Sequence, residues 1–89
     1  MRVFYVLIKC ELGKAYEVAR QLVERIEDAP PQVHSISGRH DLIAQFHLPS
    51  DIDIGRFMNS KVHSVPGIVE TETIICFNAF TPDRGLESD

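Results

Sequence analysis

Two stretches of helical hydrophobic period stand among four strand-like runs, and their order along the chain leaves few folds open. Val3–Cys10 is a run of β-branched and aromatic residues, a first strand broken by Gly13. From Lys14 to Asp28 the apolar positions Ala15, Val18, Ala19, Leu22, Val23 and Ile26 recur at helical spacing. Lys14, Glu17, Arg20, Glu24 and Glu27 take the outer face, and Glu17, Gln21 and Arg25 follow one another a turn apart. Pro30-Pro31 ends this helix, because proline has no N–H to donate and restricts the residue before it. Gln32–Ser37 and Asp41–Leu48 read as the second and third strands. Ser50 or Asp51 is expected to cap a second helix with Ile54, Phe57, Met58, Val62 and Val65 on its apolar side. Gly55 weakens that helix by about 1 kcal/mol against alanine and suggests close packing. Pro66-Gly67 stops it, and Ile68–Phe80 reads as the fourth strand.

The order β-α-β-β-α-β predicts an α+β, ferredoxin-like fold: a four-stranded antiparallel sheet with both helices on one face. One domain over residues 1–80 is expected. Residues 81–89 mix proline, glycine, serine and charges without a period and read as a flexible tail. The face away from the helices should be polar in a monomer, so each strand should alternate. The first strand does not: Val3, Tyr5 and Leu7 share one parity, and Phe4, Val6 and Ile8 the other. The fourth carries Ile75 and Phe77 on one parity and Ile74, Cys76 and Phe80 on the other. A sheet apolar on both faces needs a second cover, and the simplest is the same face of another copy. A dimeric α/β barrel is therefore expected, and a domain of 89 residues, which buries only about 60% of its unfolded surface, gains from such pairing.

Composition narrows the function classes. The formal net charge is −4 and no run of Lys or Arg occurs, which argues against nucleic acid or an anionic membrane as partner. No apolar run approaches the ~20 residues of a membrane span, and no signal peptide is evident, so a cytoplasmic protein is expected. Cys10 and Cys76 lie in apolar runs and read as buried free thiols. His34, His40, His47 and His63 show no helical i,i+4 spacing and no neighbouring cysteine, so neither metal nor cofactor is expected. His40 and Asp41 are adjacent and would point apart on a strand, and no nucleophile is linked to them; no catalytic residues are assigned.

One turn concentrates chemistry. Between the second and third strands Gly38, Arg39, His40 and Asp41 bring a cation, an imidazole and a carboxylate together beside a flexible backbone. The plain alternative is an ordinary hairpin, with glycine supplying positive φ and aspartate bonding local backbone.

Three motifs in this order carry a resemblance: Ser37-Gly-Arg-His-Asp-Leu42, Ser64-Val-Pro-Gly-Ile68 and Thr71-Glu-Thr73, with a fitting opening at Tyr5–Cys10. The chain resembles the ligand-sensing (RAM) domain of the leucine-responsive/asparagine (Lrp/AsnC) regulator family over about residues 3–80. That resemblance implies a module that dimerises through its sheets, builds an octamer or another ring of dimers, and binds a free amino acid between dimers. It also implies a regulatory role, with full-length family regulators as further partners. Family regulators carry an N-terminal helix-turn-helix domain; here the first strand begins at Val3, so the stand-alone form without direct DNA binding is expected.

A zwitterion needs a carboxylate or carbonyls for its ammonium, and N–H groups or a cation for its carboxylate. Asp41 suits the first, and the amides around Gly38 with Arg39 suit the second, His40 completing the turn. Thr71 and Thr73 lie two apart, so both hydroxyls share one face; the resemblance places them near the turn, across a subunit contact. The rival is a small oxygenase-like enzyme on a dimeric ferredoxin-like barrel, with His34, His47 or His63 in a pocket between helices and sheet.

Overall fold

The computed structural model describes residues 2–82 and 85–88, the last four by backbone alone. The first strand, β1 (Arg2–Cys10), is central. It pairs on one side with β3 (Leu42–Leu48) and on the other with β4 (Ile68–Ile75), and β2 (Gln32–Ser35) adds to the far edge of β3. Every pairing is antiparallel, in the order β2-β3-β1-β4. The helix α1 (Ala15–Arg25) and the short helix α2 (Ile54–Phe57), continued by a π-helical turn over Met58–Val62, complete the expected ferredoxin-like fold. Among the described residues no helix is long and apolar enough to cross a membrane.

Register explains the core. Phe4 faces Phe46, Val6 faces Ala44 and Ile8 faces Leu42, and opposed residues share a face. These six are at most 1% exposed. Val18, Leu22 and Ile26 of the first helical segment, with Met58, Val62 and Val65, cover them. Phe4 and Phe46 stack at 5.1 Å between ring centroids, and Phe57 meets Phe46 edge-on at 5.4 Å. Gly67 locks the helix to the sheet. Its φ is +98°, and an added Cβ would sit 3.0 Å from Val18 Cγ2, so this stop signal is also a close approach.

Several local expectations need correction. The first helix ends at Arg25, ahead of the prolines. The second is capped by Asp53, whose Oδ1 accepts from the Arg56 N–H at 3.1 Å, while Pro49–Ile52 forms a turn of its own. Gly55 serves that cap rather than the core: an added Cβ would lie 3.3 Å from Asp53 Oδ1. The helix then widens, and the His63 N–H reaches the Met58 carbonyl at 2.7 Å. The fourth strand does not run unbroken to Phe80. Ile75 pairs with Phe4 and the Cys76 N–H bonds the Val3 carbonyl, after which β1 has almost run out and offers no further ladder. The chain instead forms a separate hairpin, β5 (Asn78–Thr81) with β6 (Gly85–Ser88). Part of the expected flexible tail is therefore a paired strand; residues 83, 84 and 89 lie outside the described residues. Phe77 and Phe80 leave the sheet and are 79% and 78% exposed. Cys76, expected buried, is exposed, whereas Cys10 is buried as expected.

Candidate functional site

The Gly38–Asp41 turn is built from backbone demands first. β2 stops at Ser35, and the Ile36 N–H bonds the Asp41 carbonyl at 3.0 Å, closing a six-residue loop. Gly38 supplies φ +123° in that loop; an added Cβ would meet nothing within 4 Å, so conformation rather than space calls for glycine there. Asp41 ties the loop to the central strand twice. Its N–H donates to the Ile8 carbonyl at 2.8 Å, and its Oδ2 accepts the Cys10 N–H at 2.8 Å. The register of β1 against β4 shifts between Lys9 and Cys10, and the carboxylate takes the amide at that irregularity. The Lys9 ammonium approaches the Arg39 carbonyl at 3.5 Å. Gly38 and Arg39 are exposed, and His40 and Asp41 are half-buried. Burial raises the Cys10 thiol above its ordinary pKa, and the neighbouring Asp41 charge adds to this.

Thr71 and Thr73 do share one side of β4, the helix side, paired with Ile8 and Val6. Thr71 is held by His63: Nε2 lies 2.9 Å from the Thr71 hydroxyl, and Nδ1 lies 3.1 Å from Asn59 Oδ1. His63 thus links the π-helical turn to the edge strand, a bridge the sequence reading missed because the residues are joined only by the fold. The turn and Thr71 flank Ile8 on opposite sides, since the Asp41 N–H bonds Ile8 and Ile8 pairs with Thr71. Two inter-strand spacings, about 9.6 Å, therefore separate them within one protomer. Gly38, Arg39, His40 and Asp41 come together; Thr71 stands level with the turn and Thr73 opposite the middle of β1, and neither joins them.

The remaining histidines are placed differently from the rival reading. His34 sits on the open face, opposite Ile43 and beside Tyr5, Gln32 and Gln45, and the Gln45 amide donates to the Tyr5 hydroxyl at 2.9 Å. His47 is exposed on the same face, opposite Val3. A cavity of about 330 Å³ does lie between helices and sheet, yet none of His34, His47 and His63 lines it. Among the described residues no group of three His, Cys, Asp or Glu is arranged to hold a metal ion.

Comparison with known proteins agrees with this architecture. No curated protein matches the sequence. Among solved structures, FFRP-DM1 is 25% identical with a TM-score of 0.76, the match covering 86% of this chain and all of that one. AsnC of E. coli superposes with a TM-score of 0.70 at 17% identity, over 91% of this chain and 52% of its own. A transcriptional regulator of Neisseria meningitidis, solved as a complex with L-Met, gives 0.71 at 12% identity, over 90% and 52%. This chain thus spans about half of the last two, and their likeness is one of fold. The profile of the Lrp/AsnC ligand-binding domain matches residues 3–86. The chain belongs to the Lrp/AsnC ligand-binding domain family.

Proposed function

We propose that this chain is a non-enzymatic sensor of free amino acids that works as a homo-oligomer in the cytoplasm. The observation that carries the reading is the family match over residues 3–86. The L-Met complex of the Neisseria regulator lends the ligand class, although at 12% identity it shares only the fold with this chain. Two features of the turn support a site there. Asp41 spends one carboxylate oxygen on the Cys10 amide, which holds the side chain in place and leaves Oδ1 for an ammonium. Arg39 is exposed beside the turn amides and suits the ligand carboxylate. Thr71 and Thr73, too distant within one protomer, serve a site completed by a neighbouring copy, which fits the ring of dimers, an octamer or similar, that the resemblance implies. Full-length regulators of the family are further partners through the same contacts, and the net charge of −4 disfavours direct binding to DNA.

A thermal-shift screen of the twenty amino acids tests the class, since a ligand at a hundred times its Kd adds about 2.7 kcal/mol of stability. Calorimetry on Asp41→Ala then tests the site. Loss of a charge-assisted hydrogen bond should weaken binding roughly ten- to a hundred-fold. The same substitution leaves the Cys10 amide without its partner, so a modest fall in stability is expected alongside, and circular dichroism must show the fold retained. Parent-like affinity in Asp41→Ala removes the turn from the site.

A further inference from the structure

The cavity between the helices and the sheet has features of a second ligand site, at the far end of the molecule from the turn. Ile26, Leu48, Ile52 and Phe57 form its apolar lining, contributed by the end of the first helical segment, the last residue of β3, the following turn and α2. Leu48 lies seven residue steps beyond Asp41, about 23 Å along an extended strand, so the two sites share no residue. The volume of about 330 Å³ lies at the lower limit for small-molecule pockets and suits a molecule the size of one amino acid.

The rim carries both signs of charge. Glu27 and Asp28 follow the C-terminus of α1, where the aligned peptide dipoles already favour a cation. Lys61, in the π-helical turn, lines the same cavity. Among the described residues none of the three takes part in an ion pair or side-chain hydrogen bond, although α1 pairs Arg20 with both Glu17 and Glu24 only one to two turns away. Glu27 and Asp28 are exposed, as is Lys61, so these charges are available to a ligand. Ile52 is 39% exposed and Phe57 half-buried, which leaves apolar surface open at the mouth. The π-helical turn that brings Lys61 here is a rare geometry that recurs at functional sites.

The geometry points to a second binding site in each protomer for a zwitterion with an apolar body, that is, an apolar α-amino acid. Its side chain packs on Ile26, Leu48, Ile52 and Phe57, its ammonium faces Glu27 and Asp28, and its carboxylate faces Lys61. A ligand with one charge leaves one side of the rim unmatched. The ligand class is that of the proposed function, but the site is independent of the turn.

The test titrates the parent with L-leucine and L-phenylalanine, and with isoamylamine and 4-methylpentanoate, which each keep one charge of leucine. Amide NMR locates the binding. Saturable shifts at Ile52, Phe57 and Lys61 are expected, with leucine at least ten-fold tighter than either single-charge analogue. Ile52→Trp, which fills the mouth from a partly exposed position, should abolish these shifts, and Lys61→Met should weaken binding about ten-fold. Lys61 is exposed and unpaired, so its variant remains a valid test if Ile52→Trp fails to fold. Asp41→Ala should leave the cavity shifts unchanged. Shifts confined to residues 36–42, with parent-like affinity in Ile52→Trp and Lys61→Met, overturn the cavity and leave the turn reading standing. No binding of leucine or phenylalanine at millimolar concentration also overturns it, and the screen of all twenty amino acids then decides the wider reading separately.

Discussion

The two faces of the main sheet are made by the same strands, yet they have different fates. On the helix side Phe4, Val6, Ile8, Leu42, Ala44 and Phe46 are sealed under α1 and the π-helical turn. On the other side Val3, Tyr5, Leu7 and Ile43 are only half-buried by their neighbours, and Ile74 is 42% exposed. That open face also holds His34, Gln45 and His47, with Glu72 opposite Leu7, so it is a mixed surface, apolar at its centre and polar around it. Such a division resembles an interface more than a core or a plain solvated face. Apolar parity alone does not report burial within the protomer. It reports how many covers a sheet requires.

The largest effect belongs to the sealed face. Phe46→Ala removes a fully buried ring that stacks on Phe4 and receives the edge of Phe57, and it should cost about 3–5 kcal/mol in urea unfolding. Leu7→Lys on the open face should cost the protomer only about 1 kcal/mol, because the residue is half-buried and Glu72 lies opposite. Its main effect should be on assembly: light scattering during gel filtration should show the parent as a dimer or larger and the variant as a monomer. An assembly unchanged by Leu7→Lys would refute pairing through this face.

The two thiols differ as the two faces do. Cys10 is buried with its thiol pKa pushed up, so a disulfide reagent should reach it only on unfolding. Cys76 is exposed in one protomer and bonds Val3 beside the open face, so it should label readily when dilute and more slowly as pairing covers it. A Cys76 rate independent of protein concentration speaks against the cover. The smallest effect belongs to neither face but to the solvated outer side of α1. The hydrogen bond from Arg20 holds the Glu17 carboxyl below its ordinary value, with Gln21 adding to it. A lowered carboxyl contributes stability above its unfolded value of 4.5, and loses it as pH falls through the folded value. The group is fully exposed and screened by water, so Glu17→Gln should leave the Tm at neutral pH within scatter and alter only the acid limb.

Much of this was legible in the chain because it depends on periodicity. Val18, Leu22 and Ile26 recur four apart, and only a helix places such residues on one side of a backbone. The two parities of Val3–Ile8 announced a sheet apolar on both sides, and Gly38 announced a conformation with positive φ. These are local properties, set by backbone geometry and side-chain shape. Other features depend on what the chain meets after folding. Ile68–Phe80 has strand composition throughout, but only the end of β1 decides that its ladder stops at Cys76 and that Phe77 and Phe80 turn away into a separate hairpin. Asp41 reads as a turn residue, but its bond to the Cys10 amide exists because a bulge in a distant strand lies beside it. Within one protomer β1 runs between Thr71 and the turn, a separation set by strand order and absent from the linear pattern. His63, joined to Thr71 and Asn59, and Lys61, which lines one cavity with Glu27 and Asp28, owe their places to the packing of the π-helical turn. By itself the sequence determined the elements, their order and the faces they must bury, because those follow from the conformations of neighbouring residues. Only the tertiary structure decided which polar groups meet, because a hydrogen bond or a binding rim requires atoms placed within a few ångströms across strands that the linear pattern leaves unrelated.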